Sequence, residues 1–128
     1  MLEALRHYLK NKPGAEETQP FGPEALVYKV MGKMFAIVAW QADPLTITLK
    51  CDPDEAEMLR SLYLAVKPGY HTNKRHWNTI TLHEHVVEDT LPDGMIFSLI
   101  DNSYQLVVKN LNKKTQSRLA ILTAQCDK

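Results

Sequence analysis

The sequence predicts an α+β domain in two layers, a mostly antiparallel five-stranded sheet with its helices gathered on one face. Three observations carry that prediction. The chain has 128 residues, 45% of them hydrophobic, which suffices for one domain with its own core and is too short for two. Its apolar residues recur at steps of three and four near both ends and alternate in the middle. The alternating runs are short and closely spaced, so they pair antiparallel rather than through long crossovers.

Leu2, Leu5, Tyr8 and Leu9 share a helical stripe, so a first helix runs to about Asn11 and stops at Pro13-Gly14. Ala15 to Gln19 is polar and reads as a loop, with Glu16 and Glu17 as solvated carboxylates rather than an acid/base pair. It leads into Pro20-Phe21-Gly22-Pro23, where Phe21 is the expected anchor in the core. Leu26 to Val30 and Lys33 to Trp40 form a hairpin across Met31-Gly32, and the second run is apolar on both faces, which makes it central. Thr46 to Cys51 alternates, with Ile47, Leu49 and Cys51 inward and Thr46, Thr48 and Lys50 toward water.

Asp52-Pro53-Asp54-Glu55 starts a helix: Asp52 as N-cap, Pro53 at the first helical position and Glu55 closing a capping box. Its buried stripe is Ala56, Leu59, Leu62 and Tyr63. A short strand near Val66 to Tyr70 and another from Trp77 to Leu82 follow. Leu91-Pro92-Asp93 opens the last long helix, whose core face is Ile96, Leu99, Ile100, Ser103, Val107 and Leu111. Tyr104, next to that face, can reach a neighbouring loop with its hydroxyl. The domain is placed at 1–114, and 115–128 is read as a C-terminal tail in which Leu119, Ile121 and Leu122 form a last helical turn.

Lysine plus arginine and aspartate plus glutamate both number 15, so the net charge is zero and no global field steers the protein to polyanions. Any anion binding has to be local. The 2 cysteines, Cys51 and Cys126, form neither a Cys-x-x-Cys pair nor a disulfide framework. With Glu3, Arg6, His7 and Lys10 breaking up the N-terminus, and no apolar run of membrane-spanning length, a cytoplasmic monomer is expected.

One stretch stands apart. Pro68-Gly69-Tyr70-His71-Thr72-Asn73-Lys74-Arg75-His76-Trp77 combines a turn pair, aromatics, imidazoles, an amide and adjacent cations without one acid. Lys74 and Arg75 suit phosphate contacts, Asn73 and His71 hydrogen bonds, and Tyr70 or Trp77 a stacking platform. Read structurally, the same loop is a turn with Tyr70 and Trp77 in the core and His71 and Asn73 satisfying backbone groups. Lys33 adds a cation at the hairpin tip, and Lys29 and Lys50 on the strands, with Tyr104, are accessory candidates. His83-Glu84-His85 sets two imidazoles on one strand face, but no cysteine pair or carboxylate completes a ligand set, so no metal and no cofactor are expected. Ser103 and Cys51 fall on core faces, and no glycine-rich phosphate loop exists, so no catalytic residue is assigned.

The motif Pro-Gly-Tyr-His-x-Asn-Lys-Arg-His-Trp-Asn-Thr resembles the signature of the MmcQ/YjbR-like family. Pro20-Phe21-Gly22-Pro23, Lys29, Gly32-Lys33-Met34-Phe35, Leu49-Lys50-Cys51-Asp52-Pro53, Ser103-Tyr104 and Leu106-Val107 match in order across roughly the first 114 positions. The resemblance implies the two-layer α+β form of secretion-chaperone-like folds and DNA binding of a "double wing" type. Three readings result. The first is a non-catalytic DNA-binding module contacting phosphates through loop 68–77 and the hairpin tips. The second is a pocket for a small anionic ligand, binder or enzyme, lined by His71, Asn73, Arg75, Trp77 and Tyr104. The third is a chaperone-like module that holds a partner protein on the sheet. A convex basic surface favours the first, a concave site the second and an exposed apolar sheet face the third.

Overall fold

The computed structural model describes residues 2–42, 44–69, 72–82 and 94–126. Helix α1 (Leu2–Lys10) is followed by strands β1 (Ala15–Thr18), β2 (Leu26–Val30), β3 (Lys33–Ala39) and β4 (Leu45–Lys50). Helix α2 (Pro53–Leu62), strands β5 (Val66–Pro68) and β6 (Trp77–Leu82), and helices α3 (Met95–Lys109) and α4 (Lys113–Cys126) complete the chain. One sheet holds six strands in the order β1-β2-β3-β4-β6-β5, every neighbouring pair antiparallel. The α+β architecture is as expected, with one strand more. Among the described residues no helix is long and apolar enough to cross a membrane.

The alternation decides which face is buried. Leu26, Tyr28 and Val30 of β2, Val38 of β3, Ile47 and Leu49 of β4, and Ile80 of β6 join one buried cluster with Leu5 and Leu9 of α1, Ala56 and Leu59 of α2, and Leu99, Ile100 and Val107 of α3. These three helices therefore cover the same side. On the other side Thr48, expected to meet water, is buried, with its hydroxyl 2.8 Å from that of Thr79.

A bulge explains the centre of the sheet. Tyr28 pairs with Ala36 but Lys29 pairs with Met34, so Phe35 is the extra residue of β3. Its ring turns into the core against Tyr28 and, edge-on at 5.3 Å, against Tyr104. Its carbonyl leaves the ladder, as does the N–H of Lys50 across the gap. The Ser103 hydroxyl fills the opening, donating to Phe35 O at 2.6 Å and accepting from Lys50 N at 2.9 Å. Fully buried Ser103 thus replaces a missing rung, and leaving either backbone group unpaired would cost about 1–3 kcal/mol.

Four sequence expectations change. The polar run Ala15–Thr18 is an edge strand, not a loop, because β2 supplies its ladder and polar side chains suit an edge. Glu17 is accordingly half-buried: Arg6 donates to it twice, at 2.8 and 3.1 Å, and the Tyr28 hydroxyl donates at 2.5 Å. Phe21 is 68% exposed rather than an anchor, and its loop is held by the Trp40 indole N–H donating to Pro23 O at 2.7 Å. Leu62 is 62% exposed, since only Ala56 and Leu59 of α2 face inward. Asp52 does cap α2, accepting from Asp54 N at 3.1 Å, worth about 1 kcal/mol.

The segment read as a tail is helical. Asn112 caps α4 by accepting from Thr115 N at 2.8 Å, and Gln116 donates to the carbonyls of Val108, Lys109 and Leu111 at the end of α3. Leu119 is buried over Gly14, where a Cβ would lie 2.6 Å from its Cδ1.

Two carboxylates fix α1. Glu17 is held below the usual range by hydrogen bonds from Arg6, against its own burial. Burial alone would raise Asp101 on α3, but Lys12 and the Tyr8 hydroxyl outweigh it and lower it. Because both folded-state values are depressed, their stabilisation is complete above about pH 5 and is lost as pH falls through the depressed values. Melting temperature followed by circular dichroism should fall as pH drops from about 5 to about 3, with a smaller fall in Glu17→Gln.

Candidate nucleic-acid interface

The basic motif folds as a tight turn whose shape is set by backbone bonds and one arginine. The Gly69 N–H donates to Trp77 O at 2.8 Å. A Cβ on Gly69 would lie 2.2 Å from Thr72 Oγ1 and 3.0 Å from Trp77 O, so only glycine allows the two arms to approach this closely. Asn73 closes the tip, its side-chain oxygen accepting from Arg75 N at 3.1 Å and its carbonyl from His76 N at 3.0 Å. His76 O then accepts from Cys51 N at 2.7 Å, which ties the turn to the end of β4.

Arg60 of α2, not singled out by the sequence, is the brace. Its Nε donates to Asn78 Oδ1 at 2.6 Å, and its Nη2 donates to Trp77 O at 3.1 Å and to Lys74 O. Asn78 is 2% exposed and donates in turn to Ala56 O at 3.3 Å. One guanidinium thus spans helix, strand and turn, which its fork of fixed donors permits and a lysine would not. The only hint in the sequence was a cation in the last turn of a helix that precedes the motif.

Lys74 and Arg75 are exposed at the tip, and neither forms an ion pair among the described residues. Asn73 is exposed beside them and Trp77 is half-buried. Strand register brings further cations to the same end of the sheet. Lys50 pairs with Trp77, Ala36 with Leu49, and exposed Lys33 starts β3 beyond the bulge. Crossing from β3 to β6 takes two strand spacings, roughly 10 Å. Lys33, Lys50 and the turn therefore share one end of the sheet.

Two accessory candidates differ in placement. Tyr104 is a core residue at 5% exposure, its hydroxyl donating to Pro13 O and its ring against Phe35, so it lines no cleft with the turn. Lys29 lies opposite Glu16 in the β1–β2 pairing and opposite Met34 on its other side, next to Lys33 at the same end of the sheet. Tyr70, His71 and the His83-Glu84-His85 run lie outside the described residues. Among the described residues no three His, Cys, Asp or Glu side chains gather as a metal site. Burial pushes the Cys51 thiol up to about 11, so it is neither a nucleophile nor a thiolate ligand at neutral pH.

A cavity of about 460 Å³ opens beside the turn, lined by Lys50, Asn73, His76 and Trp77 on one side and by Leu106 of α3 and its C-cap Asn110 on the other. The largest exposed apolar side chains among the described residues are elsewhere: Met58 and Leu62 on α2, Leu64 after it, Phe21, and Ile121 and Leu122 on α4. None is on a strand.

Fold and site together describe an antiparallel sheet with helices on one side and a braced cationic turn at one end. The chain belongs to the YjbR family, whose sequence pattern matches residues 10–106. It is 38% identical over 117 residues to the uncharacterised protein YbdF of Escherichia coli O157:H7, covering 91% of this chain and 92% of that one. It is 35% identical over 121 residues to the uncharacterised protein YjbR of Escherichia coli K12, covering 94% and 98%. The crystal structure of Deinococcus radiodurans protein DR2400, a DUF419 domain, superposes with a TM-score of 0.84 at 36% identity, over 94% of this chain and 88% of that one. A Pseudomonas syringae protein superposes at 0.65 with 26% identity, over 81% and 96%.

Proposed function

We propose that this domain binds nucleic acid, DNA first among them, as a non-catalytic module whose turn 73–76 contacts phosphates. The carrying observation is the pair of exposed cations, Lys74 and Arg75, without ion-pair partners among the described residues, on a turn whose backbone is already fixed. A turn whose backbone is already fixed adds no backbone ordering cost on binding, and an unpaired cation has no intramolecular contact to break. Lys33 and Lys50 extend the contact along the sheet end. Contacts of this kind position a protein on a backbone without reading bases, so binding is weak and sequence-independent, in keeping with zero net charge.

Fluorescence anisotropy with a labelled duplex tests this. With about three to four phosphates neutralised, log K falls against log salt with a slope of about −3, a loss of roughly 50-fold to 100-fold between 50 and 200 mM. Binding indifferent to salt, or none at low salt, would sink the reading. The cavity beside the turn favours the small-anion reading of the same residues, and its role is taken up next.

A further inference from the structure

The cavity beside the turn has the size and the wall of a nucleotide site. At about 460 Å³ it falls within the range of sites that enclose small ligands, about 300–1,000 Å³. Its lining carries hydrogen-bonding groups without partners among the described residues: the Asn73 amide N–H₂, whose oxygen is already used by Arg75 N, the Asn110 amide, the Lys50 ammonium and the His76 ring. Asn73 and Asn110 are exposed and Lys50 and His76 half-buried, so these groups face water in the free protein and are open to a ligand. Leu106 and Trp77 supply an apolar part, so the wall is neither uniformly charged nor uniformly greasy. The one carboxylate in the lining, Asp52, spends an oxygen on the cap of α2 and keeps the other for a sugar hydroxyl or the N–H edge of a base.

We infer that this cavity takes a nucleoside phosphate, the chemistry shared by a free mononucleotide and the last residue of a strand, and that in this protein it receives a strand end. The inference rests on the nucleic-acid reading above: exposed Lys74 and Arg75 lie in the chain between Asn73 and His76, which both line the cavity, so a backbone held by the turn leads toward it. A duplex interior keeps its bases stacked and cannot fill such a space without extruding one, whereas an overhang offers a base at little cost. The module therefore prefers ends to continuous duplex.

The experiment compares a duplex with short single-stranded overhangs against the same duplex closed at both ends by hairpin loops, at 50 mM salt, with adenosine 5′-monophosphate as competitor. The open duplex is expected to bind about tenfold more tightly, the size of one stacked base. Adenosine monophosphate should displace the overhang preference while leaving the closed duplex bound. Asn110→Phe, which fills the cavity from α3, should erase the preference, and Leu106→Phe provides a second filling variant should the first fail to fold. Displacement of the overhang by the free mononucleotide at equal affinity supports the cavity's chemistry and assigns a free nucleotide as its source. Equal affinity for open and closed duplexes overturns the inference and leaves the role of the turn standing. No binding of either duplex overturns the reading of the turn and the inference with it.

Discussion

Arg60→Ala is expected to destabilise the domain by about 1–3 kcal/mol and to loosen the basic turn. The variant leaves Asn78 Oδ1, in a residue 2% exposed, without its donor, whereas the carbonyl of Trp77 keeps the Gly69 N–H. Each buried acceptor left unpaired costs about 1–3 kcal/mol. The more exposed carbonyl of Lys74 can turn to water and adds little. Arg60→Met keeps most of the aliphatic stem and should be nearly as destabilised, which separates hydrogen bonding from packing. Arg60→Lys should recover only part, because one ammonium cannot reach three acceptors in the geometry of a guanidinium. Chemical denaturation gives the stability, and duplex affinity should fall in the same order as the turn loses its brace. Stability lost with affinity untouched would show that the turn needs no holding.

The largest effect on binding is expected from Lys74→Glu combined with Arg75→Glu. Both side chains are exposed and unpaired among the described residues, so the stability change should stay within about 0.5 kcal/mol. Removing two phosphate contacts should take the salt slope from about −3 to about −1, and reversing the charges should weaken duplex binding by roughly two orders of magnitude at 50 mM salt. A variant that keeps the wild-type slope would move the interface elsewhere on the molecule.

What could be read from the sequence divides along physical lines. Periodic burial was legible: the stripes Leu5–Leu9 and Leu99–Ile100–Ser103–Val107, the inward pair Ile47 and Leu49 of β4 and the Met31-Gly32 hairpin, whose residues both take positive φ. The Asp52-Pro53 cap was legible because capping is local chemistry. Strand β1 was not, since Ala-Glu-Glu-Thr has no apolar pattern and becomes a strand only because β2 offers an edge. Helix α4 was read only as a last turn within a tail, for a similar reason: the Asn112 cap starts it, the Gln116 side chain ties it to carbonyls at the end of α3, and one leucine, Leu119, anchors it. Phe21 misled because an aromatic residue between prolines looks like an anchor, whereas Trp40 holds that loop instead.

The site was half legible. Its cations and its turn residues stand together in the chain, and composition alone picked them out. The brace and the cavity do not: Arg60, Leu106 and Asn110 join Asn73 and His76 only when α2 and α3 pack on the sheet. Tyr104 reaches a neighbouring loop with its hydroxyl, as expected, but that loop is the one at Pro13 and not the basic turn.

The central claim is that the braced turn meets the phosphate backbone, and amide chemical-shift mapping tests it most directly. In a titration of labelled protein with a short duplex at 50 mM salt, the amides of Asn73, Lys74, Arg75, His76 and Trp77 should shift most, with smaller changes at Lys33 and Lys50, all reversed by raising the salt. Shifts that cluster instead around Met58, Leu62 and Leu64 on the outer side of α2, or that leave residues 73–77 unmoved while the duplex binds, would contradict the claim.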